Sequence, residues 1–499
     1  MRRRSFFAFL LVILIIAAGC GDHADASDGT EGLLTTQNDE EDQENEEDEE
    51  DPYTIKWGLL SVNPGDLTIY EETVNDLLET MGCEYKIDLT SVSISFDGDY
   101  LDYVDSYADT VRSGDYDIIT TACSYSGCSV VRLLADEGLV EPLGEWLMTD
   151  GTGSAVYDSY PSQVWEILEY DDEIYGLVPN VLVSKYYVVL NVSLAEKYDI
   201  EINDVSTSDI PDLLAQAQAS GMGDENDGFV FSTTISYYCT DEEYELTNGE
   251  FIMITEDDGS LSAGNILDDA SVLSWIRTMN GLYKNGLISY DYETESIAAG
   301  DFFMISCSSY SEETAVENVR ESYGISDDVE LEAFELTEIG SRSLSAVTMT
   351  SVAACSTKAA AAMEVLGMIY SDEDLTRAII YGKEGESYTV EDGEIVPADG
   401  YDPRVRKIYL GNSFLLESDE TSYIMDLIGD SITYIGAYGL ETGEYADDIS
   451  DINIKIVEDY HKILYGISDD IESDLDKLQA ELETMGIREI LEYLNEQLS

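Results

Sequence analysis

Residues Glu173–Asn191 read Glu-Ile-Tyr-Gly-Leu-Val-Pro-Asn-Val-Leu-Val-Ser-Lys-Tyr-Tyr-Val-Val-Leu-Asn. The stretch is rich in valine, tyrosine and leucine and is longer than an ordinary strand of 5–6 residues, as a chain crossing between two lobes would need. On its N-terminal side lie three short β-type runs, Tyr53–Ser61, Glu84–Val92 and Tyr116–Thr121. Between them, Leu67–Met81 and Tyr100–Arg112 place apolar residues at three- and four-residue spacing. Strand–helix alternation of this kind predicts a parallel sheet with covering helices. Ligands of such sheets sit beyond the carboxyl ends of the strands.

On the C-terminal side the alternation continues. Asp268–Asn285 is an amphipathic helix with Trp275 and Leu282 inside, Gly300–Ser306 a buried-type strand, and Ser343–Ala354 another β run. Thr357–Tyr370 and Asp372–Gly382 read as paired helices. Thr421–Tyr438, Asp448–Gly466 and Ser468–Gln497 make the end of the chain helical. The Leu/Ile stripe of the last helix lacks sustained heptads and reads as a packing face.

The first fifty residues have a different character. Arg2–Arg4 precede thirteen apolar residues, Phe6–Ala18, and then Ala17-Ala-Gly-Cys20. That run is too short for a span of roughly 20 residues and fits a signal h-region. Small residues before Cys20 resemble the bacterial lipobox, with Ala17 where Leu, Val or Ile is usual. Residues 1–19 are therefore expected to be a lipoprotein signal peptide, with Cys20 lipidated and the chain held on the extracellular face of a cell membrane. Residues 20–52 form an acidic tether; eleven of the thirteen residues Asp39–Asp51 are acidic. Such a stretch cannot bury enough surface to offset its chain entropy, and it can extend to a limit on the order of 100 Å.

About 450 residues follow, enough for two lobes. They carry about −71 of the formal net charge of −83. That field repels polyanions, which argues against nucleic acid and leaves a neutral or cationic ligand. The two histidines, His23 and His461, cannot be assembled into a Ser-His-Asp or Cys-His pair. There is no P-loop, no GxGxxG after a strand and no GxSxG elbow, so no catalytic residue and no cofactor is expected. Asp97-Gly-Asp99 and Asp327-Asp328 lack EF-hand spacing, and no metal is expected either. Of the seven cysteines, Cys123 and Cys128 are close enough in sequence either to pair in an oxidising exterior or to stay as buried thiols.

Several stretches, in order, resemble the extracellular solute-binding lipoproteins of ABC importers, carbohydrate-type (family 1). They are Ser113-Gly-Asp-Tyr-Asp-Ile-Ile-Thr-Thr-Ala122, Leu133–Leu143, Asp172–Asn180 with Val189-Leu-Asn191, Ala298–Met304, and Ala359–Leu375. Tyr381–Tyr388, Asp392-Gly393 and Gly411–Leu415 resemble a LipO-like Firmicute subgroup, with Leu410 where that subgroup often has an aromatic residue. The resemblance implies an α/β, periplasmic-binding-protein-like (type II) clamp with interlobe crossover strands. Lobe 1 would be 53–180 plus 344–400, and lobe 2 would be 181–343 plus 401–499. It further implies a monomer that captures a mono- or oligosaccharide and delivers it to an ABC permease. A peptide- or cation-binding transport lipoprotein, a surface adhesin and a glycoside-active enzyme are the alternatives.

Candidate ligand contacts follow the strand ends: Asn63 and Asp66 after the first strand, Ser124 and Tyr125 after the third, Ser184 and Tyr186 on the crossover. The resemblance adds Tyr237 and Tyr238 as stacking aromatics of the second lobe, Tyr310 at a comparable place, and Asn412 and Phe414 from the C-terminal motif. Aromatic faces against C–H patches and polar groups reading hydroxyls are what a sugar site needs.

Overall fold

The computed structural model describes residues 52–60, 66–94, 100–125, 128–181, 185–202, 205–222, 244–247, 251–257, 260–288, 297–309, 311–336, 347–391, 394–398, 401, 404–416, 421–422, 425, 428 and 439–498. Residues 1–51, Cys20 among them, Asp97-Gly-Asp99 and most of Thr421–Tyr438 lie outside them. In chain order, the elements that position the site begin with β1 (Thr54–Leu60), α1 (Thr68–Thr80), β2 (Lys86–Val92), α2 (Tyr100–Arg112), β3 (Ile118–Ala122) and α3 (Val130–Asp136). Next come β4 (Lys185–Asn191), β5 (Met304–Ser309), α4 (Glu312–Tyr323), β6 (Leu331–Glu335) and β7 (Thr348–Val352). Helices α5 (Ala359–Ser371), α6 (Glu373–Tyr381) and α7 (Ala446–Lys455) follow. Among the described residues no helix is long and apolar enough to cross a membrane.

The first lobe is built on a four-stranded sheet in the order β7-β3-β1-β2, in which β1 runs parallel to β2 and β3 and β7 runs antiparallel to β3. Strand β2 buries Ile87 and Leu89 and exposes the residues between them, as an edge strand covered on one face does. Strand β1, interior to the sheet, buries Ile55, Trp57, Leu59 and Leu60. Gly58 is required there, because a Cβ would stand 2.8 Å from the Tyr116 ring. Helix α1 turns Tyr70, Val74 and Leu78 inward at four-residue spacing. Asn75 pins that helix to the sheet, accepting from the Ile87 amide at 2.8 Å and donating to the Ile87 carbonyl at 2.9 Å. A buried polar line crosses the layers. The Trp57 indole N–H meets the Thr120 hydroxyl at 2.9 Å, Thr120 meets Thr350 at 2.8 Å, and the Tyr370 hydroxyl of α5 donates to Thr350 at 3.0 Å.

The second lobe has its own cores. Strand β4 lies between β5 and β6, antiparallel to both. Its period-2 alternation sends Val188 and Leu190 into one core and Tyr187 and Val189 into another. Helix α4, capped by Ser311 and ended by Gly324 at φ 67°, covers the latter face with Ala315 and Val319. The other face packs against Ala270–Lys284, a three-stranded antiparallel sheet and the C-terminal helices. Trp275 and Leu282 are buried there, and so are Leu475, Leu478, Leu482, Ile490 and Leu494 of the C-terminal stripe.

Three expectations need correction. Residues 401–499 do not all join the second lobe: Leu410, Leu416 and Ile428 are buried in the first core, with Tyr401, Tyr409 and Phe414 packed against it. The Ser413 amide also donates to the Pro179 carbonyl at 2.9 Å, so this segment is bonded to the first lobe by backbone as well as by packing. The chain therefore passes from one core to the other between 181 and 186, between 336 and 347, and between 428 and 440. The last predicted helix is two, Ile471–Thr484 and Ile487–Leu498, because Gly486 at φ 91° takes a conformation that ends the first. The strand expected at Gly300–Ser306 starts later, at Met304, behind the buried Phe302 and Phe303.

His461 lies in this second lobe, edge-on to Tyr465 with ring centroids 4.7 Å apart. Burial, helped by Lys462, pushes its pKa down to about 4. Between pH 6.5 and 4 the unfolded chain therefore binds a proton there that the folded chain refuses, and stability falls as pH falls through that window. Relative to His461→Phe, the wild type is expected to lose about 2–3 kcal/mol from pH 7 to pH 4, read as a difference in urea midpoints.

Candidate functional site

The carboxyl ends of β1, β2 and β3 lie at one edge of the first sheet. The Thr348 end of β7 joins them, paired with Ala122. Of the residues expected here, Asn63 falls outside the described residues. Asp66 is exposed at the start of α1 and accepts from both the amide (3.0 Å) and the hydroxyl (2.7 Å) of Thr68; these two donors hold its carboxyl below the usual range. Ser124 and Tyr125 form a short strand paired with Cys128–Ser129. That strand pair makes a turn between β3 and α3, and the Ser129 side chain caps α3 by accepting from the Arg132 amide at 3.2 Å. Cys123, just before the turn, is a buried free thiol whose pKa burial raises.

In the second lobe the equivalent edge gathers Lys185 at the start of β4, Ser309 at the end of β5 opposite it, and Glu335 at the end of β6 opposite Tyr187. Tyr186 is half-buried at this edge against the second-lobe core. Ser184, Tyr237, Tyr238 and Tyr310 lie outside the described residues. Ser309 was not expected: it is 4 % exposed, and its hydroxyl has no hydrogen-bond partner among the described residues. A serine at the end of a strand otherwise reads as a polar turn, and only its burial distinguishes it.

Asn412 and Phe414 are placed elsewhere. Asn412 is fully buried. Its Nδ2 donates to the Ser159 hydroxyl (2.8 Å) and the Tyr370 carbonyl (2.9 Å), and its Oδ1 accepts from the Phe414 amide at 3.1 Å. With all of these used inside the first lobe, Asn412 fastens the 410–416 segment to α5 and does not present an amide to a solute. Phe414 stands edge-on to Tyr160, 5.5 Å between centroids, as part of the same fastening.

Each core thus carries one edge of polar strand ends, and three passages of chain join the two cores. Among the described residues no group of three or more His, Cys, Asp or Glu could hold a metal ion.

No family model matches the sequence, and no curated protein matches it. Solved structures do. The N-glycan transport solute-binding protein NgtS of Streptococcus pneumoniae aligns with a TM-score of 0.68 at 17 % identity, over 89 % of this chain and 98 % of that one. This is the two-lobe solute-binding-protein fold. NgtS in complex with Man1GlcNAc aligns with a TM-score of 0.60 at 16 % identity, over the same shares of the two chains. The S. pneumoniae ABC-transporter substrate-binding protein FusA in complex with kestose gives 0.55 at 14 % identity over 89 % and 98 % of the two chains.

Proposed function

We propose that this chain is a lipid-anchored extracellular solute-binding protein that captures a mono- or oligosaccharide and delivers it to an ABC importer permease. The observation that carries the reading is a pair of polar strand-end edges on separate cores, joined by three passages of chain. The structures of this shape named above are an N-glycan transport protein and complexes with a saccharide, which supports a sugar as the ligand. The unpartnered Ser309 hydroxyl and the exposed Asp66 carboxylate supply, one from each lobe, hydrogen-bonding groups for sugar hydroxyls. An orphaned buried hydroxyl costs about 1–3 kcal/mol, so a ligand hydroxyl that satisfies it binds with that penalty relieved. The net negative field is tolerant of a neutral sugar and hostile to a polyanion. Closure follows if the ligand touches both lobes, since only differential affinity for the closed form can drive it.

The test is a thermal-shift and calorimetry panel of Man1GlcNAc, kestose, neutral mono- and oligosaccharides, and cationic peptides. A cognate sugar at about 100 times its dissociation constant is expected to add about 2.7 kcal/mol to stability. Stabilisation by the peptides and by none of the sugars would replace the sugar reading with a peptide- or cation-capturing one. Release of reducing ends on long incubation would replace it with an enzyme.

A further inference from the structure

Arg132 belongs to the first lobe by its backbone and reaches the second by its side chain. Its helix α3 buries Val130, Val131, Leu134 and Ala135 in the first core, and its own amide is tied to the Ser129 cap at the turn that follows β3. Its Nη2 donates to the carbonyl of Gly439 at 2.5 Å, 307 residues further along the chain. Gly439 stands at the end of the third passage between lobes, in a left-handed conformation at φ 61°. Beyond it, Leu440 is buried in the second core. Glu441 is held on both sides by Gln497 of the C-terminal helix, whose Oε1 accepts from the Glu441 amide and whose Nε2 donates to its carbonyl, each at 2.8 Å. The carbonyl that Arg132 grips is therefore fixed to the second lobe.

The guanidinium is itself held in place. It lies 4.7 Å above the Tyr170 ring, with Nη1 3.5 Å from the Tyr170 hydroxyl, and that hydroxyl donates to Asp136 of α3 at 2.6 Å. Burial first, then the bond to Asp136, pushes the Tyr170 pKa up to about 12, so the donor keeps its proton at all physiological pH. Tyr170 sits in a two-residue hairpin turned by Asp171 (φ 53°) and Asp172 (φ 63°), the φ > 0 pair of a type I′ turn, and the chain runs from this hairpin into the first passage. A planar cation stacked on a ring loses little further freedom when it forms a charge-assisted bond to a carbonyl.

We infer that Arg132 is a positioning residue for ligand capture: it couples the 123–129 turn at the cleft edge to the second lobe at the Gly439 end of the third passage. Turn pose and lobe separation are thereby set together. This rests on the cleft being the capture site, yet its first consequences are read without any ligand.

The experiment is hydrogen exchange and small-angle scattering on the ligand-free full chain. In Arg132→Gln, amides of 440–445 and of 123–131 are expected to exchange about tenfold faster, the size of losing a hydrogen bond to a charged donor. The interlobe distance distribution broadens, while melting stays within about 2 °C of wild type. Arg132→Lys keeps the charge but not the planar stack and is expected to fall between the two. Tyr170→Phe keeps the ring and loses the hydroxyl, for a smaller change in the same segments. Unchanged exchange at 440–445 with unchanged scattering overturns the inference, as does a lower melting midpoint with no selective rise in exchange there. Should Arg132→Gln fail to fold, wild-type behaviour of both Arg132→Lys and Tyr170→Phe overturns it equally. A ligand-free response in a protein that binds no sugar refutes the sugar reading and leaves the coupling standing; sugar binding with no such response does the reverse.

Discussion

Trp57→Ala is expected to destabilise the first lobe by about 3–5 kcal/mol, shifting its urea transition and leaving that of the second lobe in place. Trp57 is fully buried on β1 between β2 and β3, so truncation removes the largest fully buried side chain and leaves a cavity in a close-packed core that relaxes only in part. A second loss comes from the polar line. Without the indole N–H, the Thr120 hydroxyl keeps its contact with Thr350 but loses its donor from β1, and the chain of bonds through to Tyr370 is shortened at one end. Trp57→Phe separates the two effects: it restores part of the volume and none of the hydrogen bond, and about 1–2 kcal/mol of the loss should remain. The separate cores predict that tryptophan fluorescence from Trp275 reports an unmoved second-lobe transition.

The residues that made the first lobe legible are those same strands. In Ile55, Trp57 and Leu59, and in Ile87 and Leu89, the alternation or run of apolar residues is local, and each strand appears within two residues of its expected bounds. The first passage between lobes was legible for a related reason, since Leu177, Val178 and Val181 must enter one core and Val188 and Leu190 another. Where the reading went astray, the deciding fact was remote in sequence. Nothing local to Leu410 or Leu416 says which core receives them; that is set by the Ser413–Pro179 backbone bond and the Asn412–Tyr370 contact. The stripe of Ser468–Gln497 runs on through Gly486, and apolar periodicity does not register a glycine that leaves the helical region. Arg132 carries no local signal of its contact, because its partner carbonyl has no side-chain signature and lies 307 residues further along the chain. Asp66 was identified as a polar residue after a strand, and its bonds to Thr68 show how a residue can shape a helix start and still be exposed at the strand-end edge.

Asn412→Asp tests the reassignment of that residue, and its expected effect is of the same order and depends on pH. In the wild type Nδ2 points two donors, one at the Tyr370 carbonyl and one at Ser159, inside a fully buried site. An aspartate puts an oxygen where that nitrogen stands, facing a carbonyl oxygen about as far away as the 2.9 Å Tyr370 bond. Two acceptors cannot bond, so the folded protein tolerates the carboxyl chiefly in its protonated form, which can still donate to Tyr370. Burial of this degree raises a carboxyl pKa by about 3 units or more, and each unit is worth about 1.4 kcal/mol. The folded pKa then lies above the unfolded value of about 3.9, so the variant is near wild type below pH 4 and loses stability as pH rises toward its folded pKa. By pH 7 the loss is about 4 kcal/mol, confined to the first lobe. Urea unfolding of Asn412→Asp and wild type at pH 4 and pH 7 supplies the comparison. A variant as stable as wild type at both values would mean that the 412 side chain reaches water, and would return Asn412 to the edge where a solute binds.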